Sequence, residues 1–518
     1  MVRIIAQSAK AWCTGIMMML GTIVTVNAQQ ITYTDESNAE NIRTEFEVIG
    51  KVDENILVFK NDRGQRKISV YDFDMRLREN IPLHARNQSW INVDFIPYPS
   101  HVWMIYQYVE KGVVYCMAAQ LNKDGQLVKE PIQLDTTKLG WTSDSKIYST
   151  VFSDNKQNIM VFKVNTRNPK LHLFTTLLFN SNMQLEEKSY VDFALEEKND
   201  QYTEFLLDNQ GNFLFGRFRK RNNDQIKDFG FVVKYREDTT FNLYPLNLSD
   251  VIVDEVVIKI DNTNKRYLLN SFYTRQRRGN VEGLYMNLFD VTNRQFVYSD
   301  AKTFNDEIRQ KAKSGNSNLK MAFNDFYINN IIIRKDGGFV MVTEEMYASS
   351  NYNGLNRWDM MGWGGYMRGM YGSPYGGYWP YGGWGWPGFG RYNYFNREQQ
   401  RFNAENISVF SFDKDGRLEW NSVIAKSQYA DNNDNMLSYA IVNTGGQLHF
   451  IHNTQQRRTV LLSDASIAPD GSITTYPTLR NLMKNVQFMP KFAKQVGSNV
   501  VIIPCQYRNS LMFAKVEL

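Results

Sequence analysis

A single turn recurs along this chain and limits what it can fold into. It reads "NKDGQL" at 122–127, "DNQGNF" at 208–213, "RKDGGF" at 334–339, "DKDGRL" at 413–418, "NTGGQL" at 443–448 and "APDGSI" at 468–473. Each copy has a polar pair, a glycine, a polar or small residue and then an apolar one. Glycine takes the positive φ of a tight hairpin, and Asp or Asn tolerates the neighbouring position. Runs of roughly five to nine residues rich in Val, Ile, Phe, Tyr and Leu lie between such turns. The chain therefore reads as short strands, each antiparallel to the next. One segment has helical character, "NDEIRQKAK" at 305–313, with Asn305 placed as its N-cap.

The strands group in fours. One group spans Ser145 to Phe193 and the next Gln201 to Leu248. Each has a variable first strand, an apolar second, a long third and a polar fourth. The pattern recurs near 90–134, 251–299, 327–424 and 437–479, with a shorter version at 43–83. The last group, "NVQFMP", "NVVIIPC" and "SLMFAKVEL", has only three strands, and "QITYT" at 30–34 can supply the fourth. A ring of sheets must close in this way or leave bare edges at its seam. The expectation is an all-β chain: a single β-propeller over 29–518 with eight four-stranded blades, closed by the N-terminal strand pairing in the last blade. Seven blades, or two β-sandwiches in tandem, are the alternatives.

Residues 1–28 read as an export signal. Arg3 and Lys10 precede the apolar run "AWCTGIMMMLGTIVT", and Val26-Asn27-Ala28 offers a cleavage site before Gln29. The apolar run is short of the roughly 20 residues that span a bilayer, so a membrane anchor is the lesser reading. Loss of Arg3 and Lys10 takes the formal charge from +5 to +3, a near balance that argues against nucleic acid. Beyond the signal only Cys116 and Cys505 remain, both in apolar strand-like runs. They read as buried thiols or, alternatively, as one long-range disulfide. Gln after the cleavage site and the Asn/Lys/Tyr-rich composition resemble exported proteins of Bacteroidota. Asp135–Thr137 and Asp238–Thr240 ("DTT") resemble the O-glycosylation sequon of that phylum. The resemblance implies periplasm or outer-membrane surface as the location.

Catalytic signatures are hard to find. "SFDKDGRLEW" at 411–420 approaches the Asp-box of sialidase propellers but has Asp415 where glycine is required, and reads as an ordinary hairpin. There is no Gly-x-Ser-x-Gly elbow. His449 and His452 ("HFIH") are spaced to point to opposite faces of a strand, so they do not read as a metal pair. No catalytic, cofactor or metal residue is assigned. Two basic clusters, 219–224 ("RKRNND") and 274–280 ("TRQRRGN"), fall where a second strand turns into a third. Both are expected to be solvated tips on one side of adjacent blades, where an acidic partner such as lipid phosphate or polyanionic glycan would meet them.

The remaining signal is an insertion at 347–405, between a second and a third strand. Five of the chain's 10 Trp lie in 358–386, amid dense glycine. Such a segment cannot pack a core of its own, yet its rings are too many to leave in water without consequence. The expected partner-binding residues are Trp358, Trp363, Tyr366, Tyr371, Tyr375, Tyr378, Trp379, Tyr381, Trp384, Trp386 and Phe389. Four roles compete: an inert low-complexity loop, an arm for an envelope or outer-membrane protein complex, a membrane-interface anchor and a sugar-stacking surface. The favoured function is a non-enzymatic envelope scaffold acting through this loop. The alternative is a propeller that binds or hydrolyses glycan, whose mark would be carboxylates and rings gathered at one mouth of the channel.

Overall fold

The computed structural model describes residues 30–518 apart from 84–88, 139–145, 169, 196–199, 222–224, 314–317, 351–353, 356–399, 432, 457–458, 480–482 and 484. The expected signal at 1–28 and the eleven aromatic partner-binding residues lie outside the described residues.

The chain is all-β, built of antiparallel four-stranded meanders of the kind found in β-propellers. The strands form eight successive units: 45–82, 89–138, 149–194, 201–245, 257–303, 326–424, 439–475, and 486–517 together with 30–33. In unit 8 the order runs Val486–Phe488, Val500–Tyr507, Ser510–Glu517 and then Gln30–Tyr33 at the outer edge. The N-terminal strand pairs antiparallel with the last, Ile31 opposite Val516. Units 4 and 5 share one ten-stranded sheet because a short strand, Ile252–Val253, bridges them. Helix Asp306–Ala312 forms where the sequence places it, and the Asn305 side chain accepts from the Ile308 amide.

Strand alternation explains the core. Inward residues of neighbouring units interleave face to face, so all but one of the apolar clusters join two units. Phe59 and Val70 of unit 1 meet Phe95 and Met104 of unit 2. Phe162 and Phe174 of unit 3 pack against Phe205, Phe213 and Phe215 of unit 4, with ring centroids 4.8–6.2 Å apart. The last cluster joins the ends of the series: Phe46, Val58 and Tyr71 of unit 1 lie against Ile502, Leu511 and Phe513 of unit 8.

The six recurring turns all occupy one end of the strands. Each joins a first strand to a second or a third to a fourth, and its glycine has φ between +72° and +89°. At the first copy the Gly125 amide donates to Asn122 O, and the Asn122 amide to Gln126 O. These turns also lock adjacent units together. Asn55 donates to Lys123 O, Asn158 to Asn209 O, and the Trp420 indole to Pro469 O. The opposite end carries the described turns from a second strand to a third, among them the one that bears Arg275, Arg277 and Arg278.

Candidate functional site

The insertion leaves unit 6 on an ordered stem. Its two strands, Phe339–Ser350 and Gln400–Phe412, stay paired out to Ser350 opposite Gln400, inside the expected bounds of 347–405. Gly354–Leu355 adds to one side of the stem and Gln428–Asp431 to the other. Met346, Ala348, Phe402 and Ala404 bury their side chains against Leu437 and give the stem a small core of its own. On its flank Arg401 Nε donates to Asp431 Oδ1 at 2.8 Å, and its guanidinium lies 4.6 Å from the centre of the exposed Tyr429 ring.

A buried ion pair fixes the root of this stem. Lys426 Nζ lies 2.7 Å from Glu344 Oε1, with both side chains shielded from water. The amine also donates to Ala404 O at 3.0 Å and to Gln428 Oε1 at 3.1 Å. Ser438 and Asn329 donate to the other carboxylate oxygen, at 2.6 and 2.9 Å. Burial pulls the Lys426 amine down, and Glu344 opposes that fall. Nearby, Lys491 pairs with Asp434 at 2.9 Å, also buried. Charges removed from water persist only when paired and hydrogen-bonded, and here both conditions hold. The one readable hint was a glutamate pair inside the apolar run "FVMVTEEMY". Its partner, Lys426, is too far along the chain for spacing to reveal.

A second polar group draws on several units. Glu47 of unit 1, Asp94 of unit 2 and Lys494 of unit 8 interact, and Lys146 lies 3.4 Å from Asp94. Burial pushes the Glu47 carboxyl well above its ordinary range; Lys494 draws it back and Asp94 adds to the rise. Burial likewise lowers Lys146, with Asp94 holding it up. No sequence pattern joins these four residues.

The basic clusters divide. Arg275, Arg277 and Arg278 are exposed, as a solvated tip requires. Arg219 is not. It is buried with Arg217 on Asp200, Arg219 Nε donating to Asp200 Oδ1 at 2.8 Å. The first cluster is therefore partly an internal ion-pair group, because its strand carries these arginines inward before the turn. The described histidines serve separate partners: His172 meets the Tyr202 hydroxyl at 2.7 Å, and His449 meets Asp464 at 2.9 Å. No group of three metal-ligating side chains occurs among the described residues. Cys116 and Cys505 are free, buried thiols, and no disulfide joins them.

The fold thus defines an all-β chain of propeller type. No family model matches it, and no curated protein matches its sequence. Several solved structures are similar in shape. A protein of unknown function from Bacteroides caccae is 12% identical, with 74% of this chain and 94% of that one covered and a TM-score of 0.27. An oligogalacturonate lyase in complex with manganese is 7% identical, with 95% and 96% covered and a TM-score of 0.36. A prolyl endopeptidase is 7% identical with a TM-score of 0.40; 90% of this chain is covered, and only 55% of that one.

Proposed function

We propose that the chain is a single eight-bladed β-propeller, closed by the Gln30–Tyr33 strand, that works in the bacterial envelope as a non-enzymatic scaffold. Its aromatic, glycine-rich segment is the arm that takes a protein partner or the outer-membrane surface. The pairing of the first strand with the last and the apolar cluster shared by units 1 and 8 support closure. Eight units in series favour eight blades over seven.

The stem of the arm carries the functional reading. A loop of no consequence needs no braced base, whereas this one rises from a four-stranded stem with its own core and a buried ion pair at its root. A stiff base lowers the ordering entropy lost on binding, and Trp and Tyr dominate interface energetics. The test replaces 356–399 by a short Gly/Ser linker, which preserves the stem. Capture of envelope partners by the purified protein, read by crosslinking and mass spectrometry, should then disappear while the melting transition stays put. Unchanged capture overturns the reading.

The Glu47–Asp94 pair keeps a second reading in view. Two carboxylates with one raised by burial is an arrangement that glycoside chemistry uses. A glycan-active propeller predicts hits on a glycan array that Glu47→Gln abolishes. An array without hits removes this alternative.

A further inference from the structure

Four buried charges balance beneath the stem. Lys426 and Lys491 are the cations, Glu344 and Asp434 the anions, and none of their side chains is more than 2% exposed. Glu344 acts on Lys491 as well as on Lys426. The group is tied directly to the stem. Lys426 donates to Ala404 O, and Asp434 O accepts from the Leu437 amide at 3.0 Å. Leu437 is the floor on which Met346, Ala348, Phe402 and Ala404 pack.

Side chains hold this floor in place. Gln428 donates to Ser438 O at 3.2 Å and accepts from the Ser438 amide at 2.8 Å. Asn453 donates to Met436 O at 2.7 Å. Between them the chain is strained: Ser438 has φ +69°, a left-handed conformation that costs any residue with a Cβ. Loss of the polar contacts therefore removes what keeps Leu437 under the stem.

His452 is the histidine of this group. It lies opposite Tyr439, and the carbonyl of its neighbour Asn453 accepts from Gln428 at 2.9 Å. Its ring is buried, with Nδ1 a long 3.4 Å from Phe450 O. The elements packed on its strand bring up Lys426, Glu344, Tyr439, Asp431, Asp434, Lys491 and Asp464. Glu344 and Asp434 already answer the two lysines, Asp431 pairs with Arg401, and Asp464 faces His449. Glu345 and Glu405 also act on Lys426. Burial keeps Tyr439 a neutral phenol. An imidazolium here would be a third cation in a group whose charges are already matched.

We propose that His452 is an acid-sensitive latch on the stem: its protonation unbalances the buried group, loosens Lys426 and the 436–438 segment, and lets the strands fray at 346–350 and 400–404. The latch goes beyond the scaffold reading, since it concerns the stem itself and holds whatever the arm takes. Its direction follows from burial, which, with Lys426 adding to it, pulls the imidazole down to about 4 while the stem is closed. A hydrated imidazole titrates near 6.5. Between those values the open stem binds the extra proton, so opening grows as pH falls and is suppressed above about pH 6.5.

The experiment is hydrogen–deuterium exchange of the full chain at about pH 7 and about pH 4.5, corrected for the intrinsic exchange rate. Protection of 346–350 and 400–404 should fall about fiftyfold between the two. Strand Asn158–Asn168 of unit 3 should stay better protected than the stem at both. In His452→Gln the protection of the stem should stay nearly constant with pH. The 356–399 linker variant should respond like wild type, so failure of the arm as a binding element leaves this result untouched. A stem that keeps its protection in acid, or loses it equally in His452→Gln, overturns the proposal. So does exchange of the stem and unit 3 at one common protection, which means that the whole chain opens together. Should His452→Gln fail to fold, the wild-type imidazole followed by NMR decides: it should titrate together with the loss of stem protection, and titration near 6.5 with the stem still protected overturns the latch.

Discussion

Thr34 and Phe513 exchange hydrogen bonds across 479 residues of chain. The Phe513 amide donates to Thr34 Oγ1 at 3.1 Å, and the Thr34 amide to Phe513 O at 2.9 Å. This short ladder covers the outer edge of the last sheet, which otherwise presents a row of unpaired backbone groups to any strand it meets.

Disrupting that strand should therefore have effects beyond its size. Ile31 is buried in the cluster that unit 8 shares with unit 7. Ile31→Asp places a charge there and should destabilise by about 3 kcal/mol or more. Deletion of 30–34 should also cause concentration-dependent association. Thermal melting and size-exclusion chromatography check both outcomes; a deletion variant that stays monomeric with an unchanged melting point contradicts the role given to this edge.

The root of the stem depends on a matched pair of charges. Lys426→Met strands the Glu344 carboxylate in the interior and should cost about 3–5 kcal/mol in urea denaturation. Glu344→Gln added to Lys426→Met removes the stranded charge and should recover at least half of that loss. A double variant as unstable as the single one would show that packing, not charge, sets the penalty.

Acid should weaken the protein through His452. Burial, assisted by Lys426, pulls this imidazole down to about 4 in the folded chain, while the unfolded chain titrates near 6.5. Between those values the unfolded state binds more protons, so stability rises with pH and falls as pH drops through the window. The fall reaches about 3 kcal/mol by pH 4. In His452→Gln the slope of unfolding free energy against pH should flatten across pH 4–6.5, which urea melts at several pH values will measure.

The two thiols give a probe of global opening. Cys116 and Cys505 are fully buried and burial pushes both well above their ordinary range, so neither has an accessible thiolate. A thiol reagent at pH 8 should leave the native protein unlabelled and modify both sites together at the denaturant midpoint. Labelling of one thiol well before the other would reveal a unit that opens independently.

Much of the architecture was legible because its causes are local. Glycines 125, 211, 337, 416, 445 and 471 announce themselves by neighbours that want a turn, and each adopts the positive φ such a turn requires. Strand grouping followed from alternation, and a last group one strand short pointed to the residues at 30–33. The strands that flank the expected insertion pair further out, to Ser350 opposite Gln400, than apolar pattern alone suggested. Arg219 was misread as solvated because sequence shows charge and not the carboxylate, Asp200, that draws it inward.

The sequence by itself determined the elements: which residues are strands, where they reverse, and which segment stands outside the regular pattern. Those are properties of a few adjacent residues, set by backbone sterics and side-chain alternation. Only the tertiary structure decided the pairing of Glu344 with Lys426 and the gathering of Glu47 with Asp94 and Lys494. Each joins side chains from distant strands or neighbouring units, and their meeting depends on the packing of whole sheets, whose geometry is a sum over many contacts that no local pattern encodes.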